Sequence, residues 1–414
     1  MLKAYKYRLY PNKNQRELIN KHLGACRWLY NYGLHKKIEA YTKDKTTISR
    51  FDLQDDLPVL KRTEEYKWLA EVNSLSLQAV LRNLDSAYKN FFRDKRGFPN
   101  FKSKKSNRQS FHVVQNTKVT FGIKTSLITG KEKFSNGTIS IPKIKNIKAV
   151  LHRKLPIDGE IKTSTISRTP TGKYFISILV DTKESTPIKP NIEQASENQA
   201  LAFDLGIKSF LVASNQDVID NPKFLKRSIK KVKHYSKLHS KKVKGSNNRT
   251  KSRLKLARLH EKVTNQRTNF LHQTTSHYIK TKYVTFCFED LNVKGMVRNH
   301  KLAQAINDVS WTTFVNQLTY KCDWNGKNIL KIGRFEPSSK LCNKCGKINH
   351  NLTLKDRIFI CPDEVCDNKI DRDYQASLNI LNFALNKQNL VNDKLTRIGK
   401  ELAEFGFPKL ANAN

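Results

Sequence analysis

The stretch Leu201-Ala-Phe-Asp-Leu-Gly-Ile-Lys-Ser-Phe-Leu-Val-Ala213 decides the fold prediction. Its composition predicts two short β-strands that reverse direction near Gly206. Asp204 lies in the first strand, among apolar side chains. A carboxylate in such a place costs free energy unless it is paired or binds a metal ion. Asp204 is therefore a candidate metal ligand.

Two later acids occupy comparable positions. Glu289 ends the apolar run 283–288, and Asp373 begins a helical pattern over residues 373–381. We hypothesise that Asp204, Glu289 and Asp373 converge on divalent metal ions. Taken singly, each could instead be an ordinary strand-end or helix-capping acid. For Asp371, two residues before Asp373, we favour a capping role and prefer Asp373 as the ligand.

Charge is the strongest global signal. The 414 residues include 77 Lys or Arg against 36 Asp or Glu, a formal net charge of +41. Self-repulsion on that scale favours a polyanionic partner, and nucleic acid is the expected one, with binding that weakens as salt rises. The 38% hydrophobic content predicts a globular protein of two or three domains. An anionic membrane surface is the alternative partner, but no lipidation motif supports it.

Targeting signals are not evident. No apolar run approaches the roughly 20 residues needed to cross a bilayer, and the N-terminal residues lack an apolar signal core. We therefore expect a cytoplasmic protein that does not associate with membranes.

The positive charge is concentrated between residues 222 and 262, where 16 Lys or Arg face one acid, Glu261. Apolar residues there keep a helical period, so one face is expected to pack and the other to contact phosphates. A solvated face is the alternative. Basic and aromatic residues also alternate in the helical stretch 15–41 and in residues 91–105, where Gly97 and Pro99 exclude continued helix. The predicted nucleic-acid-binding residues are Arg27, Arg93, Lys95, Arg96, Lys102, Lys104, Lys105, Lys226, Arg227, Lys230, Lys231, Lys241, Lys242 and Arg253.

Residues 110–182 contain several short alternating segments with turn signals, which predict a small β-barrel. The first strand, ending at Pro11, is expected to join it, so that the helical region becomes an insertion. Residues 183–199 carry prolines, serines and glutamates with few apolar residues, and predict a linker.

Four of the seven cysteines form two closely spaced pairs. Cys342 and Cys345 are a C-x2-C pair, whereas four residues separate Cys361 from Cys366. Four thiolates suit tetrahedral zinc, and no ligand position remains open, so we predict one structural Zn²⁺. Free buried cysteines are the alternative. The scattered cysteines are predicted to be small buried apolar residues, and they are Cys26, Cys287 and Cys322.

The order of the three candidate acids is informative. An Asp on a first strand, a Glu at a later strand end and an Asp on a late helix follow the order found in RNase H-like nucleases. Hard oxygen ligands with room for water and phosphate favour Mg²⁺. Two ions about 4 Å apart would activate a water and stabilise the leaving oxygen.

Several motifs in this order resemble the transposon-encoded TnpB (OrfB) family, whose members are related to type V CRISPR effectors. The resemblance spans nearly the whole chain. The motifs are Tyr7-Arg-Leu-Tyr-Pro11 with Gln15, Gly24-Ala-Cys-Arg27, Gly97-Phe-Pro-Asn-Phe-Lys102, Phe203-Asp-Leu-Gly206, Glu289-Asp-Leu-Asn292, Pro337-Ser-Ser-Lys-Leu-Cys342 and Asp371-Arg-Asp373. The chain departs from the family pattern at Gln375, where Asn is usual, and at the widened second cysteine pair.

The resemblance implies an RNA-guided DNA endonuclease. A guide RNA from the transposon end would occupy a basic channel, and a short motif beside the double-stranded target would be read by the N-terminal part. A RuvC-like domain would cut the strands in turn. The implied fold is multidomain α/β: a wedge-like barrel over 1–14 and 108–182, a helical recognition domain over 15–107 and a linker over 183–199. The RuvC-like domain would span 200–336 and 369–386, with a zinc ribbon inserted at 337–368 and a tail at 387–414.

Three alternatives stay open at this point. The chain could be a nuclease-silent RNA-guided DNA binder, a transposase that joins DNA ends, or a basic zinc-ribbon RNA-binding protein without catalysis. Intact acids at all three positions argue against the silent binder.

Overall fold

A computed structural model of the protein shows two compact units, Met1–Ser185 and a second that begins at Thr186. The structure describes residues 1–94, 97–106, 109–125, 132–192, 196–334, 336–353 and 355–385. The predicted tail at 387–414 therefore lies outside the described residues.

The first unit is built on a seven-stranded antiparallel sheet with the order β2-β6-β7-β1-β5-β4-β3. The strands are β1 (Leu2–Tyr10), β2 (Gln109–Val113), β3 (Lys118–Thr125), β4 (Glu132–Ile141), β5 (Ile144–Val150), β6 (Glu160–Arg168) and β7 (Tyr174–Asp181). Strand β1 pairs with β5 and β7, as the sequence predicts for the first strand. Strand β5 is missing from the sequence prediction. The order leaves β2 and β3 at the edges, and within the described residues no pairing joins them into a barrel.

The helices of this unit interrupt the sheet between β1 and β2. They are α1 (Lys13–Asp44), α2 (Arg50–Arg62), a 3-10 helix (Glu64–Glu71) and α3 (Ser74–Asp94). Helix α1 begins at a capping box in which Asn12 and Gln15 exchange side-chain-to-backbone hydrogen bonds. Asn12 thus caps the helix as predicted. Helix α2 and the 3-10 helix were not predicted.

The second unit has a five-stranded sheet with the order β10-β9-β8-β11-β12. The strands are β8 (Ala200–Asp204), β9 (Ser209–Ala213), β10 (Val218–Asp220), β11 (Thr285–Glu289) and β12 (Asn328–Ile332). Strand β11 is parallel to both β8 and β12, whereas β9 is antiparallel to β8. The predicted β8–β9 reversal is confirmed. Gly206 is required there because a Cβ would lie 2.9 Å from the carbonyl oxygen of Ser209.

Five helices connect these strands, and two of them carry most of the cationic residues. They are α4 (Phe224–Ser240), α5 (Asn247–Ile279), α6 (Val293–Met296), α7 (His300–Val309) and α8 (Trp311–Trp324). The predicted packing face of α4 is only partly observed, since this helix buries none of its side chains fully. Its first turn is instead held by Asp308, whose carboxylate accepts from the backbone N–H groups of Leu225 and Lys226 and pairs with Arg267 at 2.8 Å.

A small ribbon follows β12. Its strands β13 (Ile358–Ile360) and β14 (Lys369–Asp371) form an antiparallel hairpin, and residues 372–385 are helical and are called α9 here. Part of the predicted linker packs on the second unit: Lys189 pairs with Asp323 at 2.7 Å, and Asn328 donates to the carbonyl of Pro190 at 2.9 Å. Among the described residues, no helix is both long and apolar enough to cross a membrane.

The core of the second unit centres on Phe203, the residue before Asp204. Its side chain is fully buried. Its ring centroid lies 4.7 Å from that of Tyr278, 5.8 Å from that of Phe286 and 6.2 Å from that of Phe314. This aromatic cluster anchors β8 to β11, α5 and α8, and so fixes the backbone on which Asp204 sits.

We expect Phe203→Ala to destabilise the second unit by about 3–5 kcal/mol, because it leaves a cavity among three aromatic rings. Urea unfolding followed by circular dichroism measures the change. Phe92→Ala is the control, since Phe92 is 74% exposed and should cost no more than about 0.5 kcal/mol. Equal losses in the two variants would contradict this account of the core.

Candidate active site and metal centre

Asp204 and Glu289 end two adjacent parallel strands. The register of β8 and β11 pairs Phe203 with Phe288, so the next residue on each strand is the acid. Neighbouring strands are about 4.8 Å apart, and ligands of open α/β sheets bind at the carboxyl ends of the strands. Both acids are half-buried. The sheet therefore places two carboxylates side by side at its ligand-binding edge.

Asp371 and Asp373 have different roles at the start of α9. The Asp371 carboxylate accepts hydrogen bonds from the backbone N–H groups of Asp373 and Tyr374, both at 3.0 Å. It therefore caps the helix, as predicted. Asp371 is exposed, whereas Asp373 is half-buried. Of the two acids, Asp371 is thus engaged as the helix cap, and Asp373 remains the candidate ligand.

The pKa of Asp204 responds to its burial and to the other two acids. Burial raises the pKa of Asp204 to about 7, and the negative charges of Asp373 and Glu289 add to this effect, while the Arg372 guanidinium opposes it. Burial also raises the pKa of Glu289. A nearby like charge disfavours the ionised form of a carboxyl group, as it does here for Asp204. Asp204 is thus within electrostatic reach of both other acids.

Within the part of the chain that the structure describes, no Lys, Arg or His forms an ion pair with Asp204, Glu289 or Asp373, and the charge of Arg372 only partly offsets the raised pKa of Asp204. The neighbouring acid Asp290 is different, because Arg334 binds it through two nitrogens, at 3.0 and 2.7 Å. Uncompensated, half-buried carboxylates are a donor set that fits a hard divalent cation.

The three carboxylates are less tightly gathered than the cysteine sulfurs. Among the described residues, the four cysteines are the only group in which three or more potential metal-binding atoms lie within 4.8 Å of one another. The carboxylates are therefore spaced more widely than the four sulfurs. Asp204 and Glu289 lie at the ends of two strands, and Asp373 lies at the start of α9.

The structure brings together the four cysteines of the predicted zinc site. The sulfurs of Cys342 and Cys366 are 3.8 Å apart, and those of Cys345 and Cys361 are 3.4 Å apart. Four sulfurs at these distances are the donor set of a closed, structural zinc site. The residues therefore fit the metal that the sequence predicts.

The widened second cysteine pair closes through a turn. The carbonyl of Asp363 accepts from the backbone N–H of Cys366 at 3.1 Å, and the Asp363 carboxylate pairs with Lys347 at 2.9 Å. This ion pair connects the turn between Cys361 and Cys366 to the segment that follows Cys345. In that segment Gly346 adopts a φ of +76°. The two additional residues thus do not separate the sulfurs.

Asn368 supports the sulfur site, and sequence reasoning missed it. This buried side chain donates from Nδ2 to the Cys342 sulfur at 3.3 Å and to Asn343 at 2.9 Å. Burial raises the pKa of Cys342, but backbone N–H groups and the Asn368 amide outweigh it and lower the pKa to about 6. N–H···S hydrogen bonds favour the thiolate, which is the form that binds metal. Asn368 lies two residues after Cys366, and this closeness to a predicted zinc ligand was the signal in the sequence that could have identified it.

Arg372 was also missed, although it lies between the two acids of the Asp371-Arg-Asp373 motif. Its Nη1 donates to the carbonyl oxygens of Thr353 at 3.0 Å and Asp356 at 3.4 Å. Its positive charge opposes the rise in the Asp204 pKa. Arg372 therefore links the ribbon to the acidic site.

All but one of the predicted nucleic-acid-binding residues fall into three groups, and the exception is Lys102. On α4, on α5 and between them, all seven are exposed, and they are Lys226, Arg227, Lys230, Lys231, Lys241, Lys242 and Arg253. In the first unit, Arg93, Lys104 and Lys105 are exposed and Arg27 is half-buried. Lys95 and Arg96 lie outside the described residues.

Lys102 is a special case. Its ammonium nitrogen lies 3.8 Å from the centroid of the Tyr30 ring, and burial lowers its pKa. This cation–π contact gives Lys102 a partner within its own unit. The scattered cysteines Cys26, Cys287 and Cys322 are buried as predicted, and burial raises the pKa of each to about 12.

The fold and the two sites define a multidomain α/β protein with a sulfur-rich ribbon inserted next to a cluster of acids. Three family sequence models match the chain: "Probable transposase" (OrfB_IS605) over residues 177–300, "Helix-turn-helix domain" of the same family over 1–46, and "Cas12f1-like, TNB domain" over 311–380. In the structure, residues 1–46 form β1 and the single long helix α1.

Two curated relatives match along nearly their whole length. A "Putative RNA-guided DNA endonuclease" of Streptomyces pristinaespiralis is 34% identical over 381 residues, covering 92% of this chain and 88% of the relative. The "Putative RNA-guided DNA endonuclease InsQ" of Escherichia coli K12 is 28% identical and covers 92% of each chain. The chain belongs to the TnpB (OrfB) family.

A solved structure shows the same fold. The protein in the cryo-EM structure of a Cas12f1-sgRNA-target DNA complex has a TM-score of 0.56 at 14% identity, covering 92% of this chain and 98% of that one. This likeness supports the multidomain α/β assignment.

We expect the purified protein to hold one zinc ion per chain, and Asn368→Ala to weaken zinc binding about tenfold, because the variant loses the N–H···S bond to Cys342. Competition with a colorimetric chelator measures the affinity. Asn351→Ala, an exposed asparagine in the same ribbon, is the control and should bind zinc as the wild type does. Unchanged zinc affinity in Asn368→Ala would show that this bond is not supporting the site.

The raised pKa of Asp204 predicts a pH-dependent stability. The folded state holds the Asp204 proton up to about pH 7, whereas the unfolded chain releases it near pH 4, so this group lowers stability as pH rises between these values. Asp204→Asn should therefore be more stable than the wild type at pH 8 in Mg²⁺-free buffer, by about 1 kcal/mol or more.

The gain should be smaller at pH 5, and urea unfolding at the two pH values measures it. Asp220→Asn, which replaces an exposed acid on the edge strand β10 of the same sheet, should show no such change between the two pH values. A wild type that is at least as stable as Asp204→Asn at pH 8 would contradict the assigned burial.

Proposed function

We propose that the protein is an RNA-guided DNA endonuclease that hydrolyses phosphodiester bonds in target DNA at a RuvC-like site formed by Asp204, Glu289 and Asp373. The observation that supports this most is the acidic cluster itself. Two carboxylates end adjacent parallel strands, the charge of a third raises the pKa of Asp204, and no described cation forms an ion pair with any of the three. Structural ion-pair networks also perturb pKa values, but none of these acids belongs to an ion pair among the described residues.

The three carboxylates would hold two Mg²⁺ ions. When bound, these ions supply an activated water and stabilise charge on the leaving oxygen. The protein's own contribution is to present unprotonated oxygens at a fixed edge. Since Asp204 has a pKa of about 7, protons compete with metal at this residue, and activity should decline as pH falls below 7. The cysteine site would hold one structural Zn²⁺.

The cationic helices α4 and α5 would contact the nucleic-acid backbone. Their seven predicted residues are exposed and precede the strand that ends in Glu289. Lysine and arginine on one surface bind phosphates without reading sequence. Binding to this region should therefore depend strongly on salt and little on sequence.

Guidance by RNA is proposed from the relatives. Two proteins that align with 92% of this chain carry the name RNA-guided DNA endonuclease. In such a system base pairing reads the target, while the protein holds the duplex and reads a short adjacent motif. We assign that reading to the sheet and helices of the first unit, and we propose that the guide RNA comes from the transposon end.

Cleavage by the Asp204→Ala variant tests the proposal. The protein is co-expressed with the DNA that flanks its own gene, so that any guide RNA co-purifies, and is given a plasmid carrying the matching target and Mg²⁺. We expect Asp204→Ala to cut at least about 100-fold more slowly, because a charge-stabilising ligand is lost, while co-purified RNA is unchanged. Asp220→Asn should cut as the wild type does.

The outcomes separate the competing functions. Wild-type binding without cutting would favour a nuclease-silent regulator, and joined DNA ends would favour a transposase. RNA binding without target recognition would favour a zinc-ribbon RNA-binding protein. Cleavage by Asp204→Ala at the wild-type rate would show that the acidic site is assigned wrongly.

A further inference from the structure

Helix α9 carries Asp373 in its first turn, and two buried amide side chains lie at the ends of its first and second turns. Gln375 is fully buried and Asn379 is 1% exposed. Residues four apart lie on one face of a helix, so the two amides form a pair. Neither takes part in the acidic site, and buried amides of this kind are costly unless they are hydrogen-bonded.

Both amides bind the segment that leads into the zinc site. Gln375 donates from Nε2 to the carbonyl of Leu341 at 2.5 Å. Asn379 donates from Nδ2 to the same carbonyl and to that of Ser338, both at 2.7 Å. Leu341 is the residue before Cys342. One carbonyl next to the first sulfur ligand therefore accepts from two side chains of the helix that holds Asp373.

Residues 353–358 of the ribbon form hydrogen bonds with the start of the same helix. The backbone N–H of Arg372 donates to Arg357 at 2.9 Å, and its guanidinium reaches the carbonyl of Thr353. Asp371 pairs with Ile358 in the β13–β14 hairpin. The first turn of α9 is thus tied to the ribbon before and after Asp373.

The ribbon itself has little to hold it together except its sulfurs. Its buried cluster consists of Cys342, Leu352, Phe359 and Cys361, so two of the four members are cysteines. Domains with such small cores depend on bound metal to fold. The order of the ribbon, and with it the anchorage of α9, should follow zinc occupancy.

We propose that Gln375 and Asn379 are positioning residues that couple the zinc ribbon to the acidic site: they hold the Asp373 helix against the Ser338–Leu341 segment, so that zinc occupancy sets the affinity of the carboxylates for divalent cations. This inference rests on the proposed function only in taking Asp204, Glu289 and Asp373 as the cation site. Gln375, at a position where the family usually has Asn, is thereby assigned a role through its hydrogen bond to the Leu341 carbonyl.

The test uses the full-length double variant Gln375→Leu/Asn379→Leu, with Mn²⁺ as the probe. Mn²⁺ binding is measured by electron paramagnetic resonance, zinc content by a chelator assay, and order at residues 372–376 by hydrogen exchange. We expect Mn²⁺ to bind about 10- to 100-fold more weakly, with faster exchange at 372–376. The single variant Gln375→Asn, which keeps Asn379 and has an amide at both positions, should bind Mn²⁺ more tightly than the double variant does.

Asn328→Leu is the matched control. Asn328 is also a buried amide that donates to a distant carbonyl, that of Pro190, but it lies at the opposite end of β12 from the acids. It should leave Mn²⁺ affinity within about twofold of the wild type, since it makes no contact with the ribbon or the cation site. A loss equal to that of the double variant would assign the effect to general destabilisation and overturn the proposal.

A second variant keeps the test decisive if the double variant does not fold. Cys345→Ser/Cys366→Ser removes zinc ligands but retains both amides, and it should show the same faster exchange at 372–376. Unchanged exchange with zinc lost, or unchanged Mn²⁺ affinity in the double variant, would overturn the coupling. Asp204→Ala defines the carboxylate-bound Mn²⁺. If it lost no Mn²⁺, the proposed cation site would fail, while the exchange measurement would still decide the coupling.

Discussion

The arrangement depends on one electrostatic constraint: the half-buried Asp204 lies within electrostatic reach of Glu289 and Asp373 and forms no ion pair with a described cationic side chain. Burial and like charge raise its pKa to about 7, so the folded protein carries a cost that a divalent cation would remove. Arg334 pairs with the adjacent acid Asp290 and not with the cluster. The proposed metal binding would therefore be linked to the fold of the second unit through the same three side chains.

Different structural devices place the three acids. The sheet brings Asp204 and Glu289 together, because parallel pairing of β8 and β11 makes their carboxyl ends coincide. The ribbon and α9 supply Asp373, through hydrogen bonds on both sides of the helix start. The chain between the first two acids contains the cationic helices α4 and α5, and the chain between the last two contains the ribbon. The first connection thus carries the surface proposed to contact nucleic acid, and the second carries the ribbon proposed to position Asp373.

The sequence predicted those parts in which a single local pattern is decisive. An acid that ends an apolar run marks the ends of β8 and β11, closely spaced cysteines mark the ribbon, and an Asp before a helical pattern marks the cap at Asp371. It did not predict β5 or α2, whose apolar residues are interrupted by charged ones. It also missed Asn368 and Arg372, because their partners are sulfurs and carbonyls brought near only by tertiary folding. The apolar period of α4 predicted a buried face, yet its neighbours cover that face only in part. Spacing along the chain could not give the separation of the carboxylates.

The most direct test of shared metal binding is anomalous X-ray diffraction from crystals of the protein soaked in Mn²⁺, recorded at the manganese and zinc absorption edges. The account predicts manganese bounded by the carboxylates of Asp204, Glu289 and Asp373, and a separate zinc peak among Cys342, Cys345, Cys361 and Cys366. Manganese that binds elsewhere, or binds Asp204 without either of the other two acids, would contradict it.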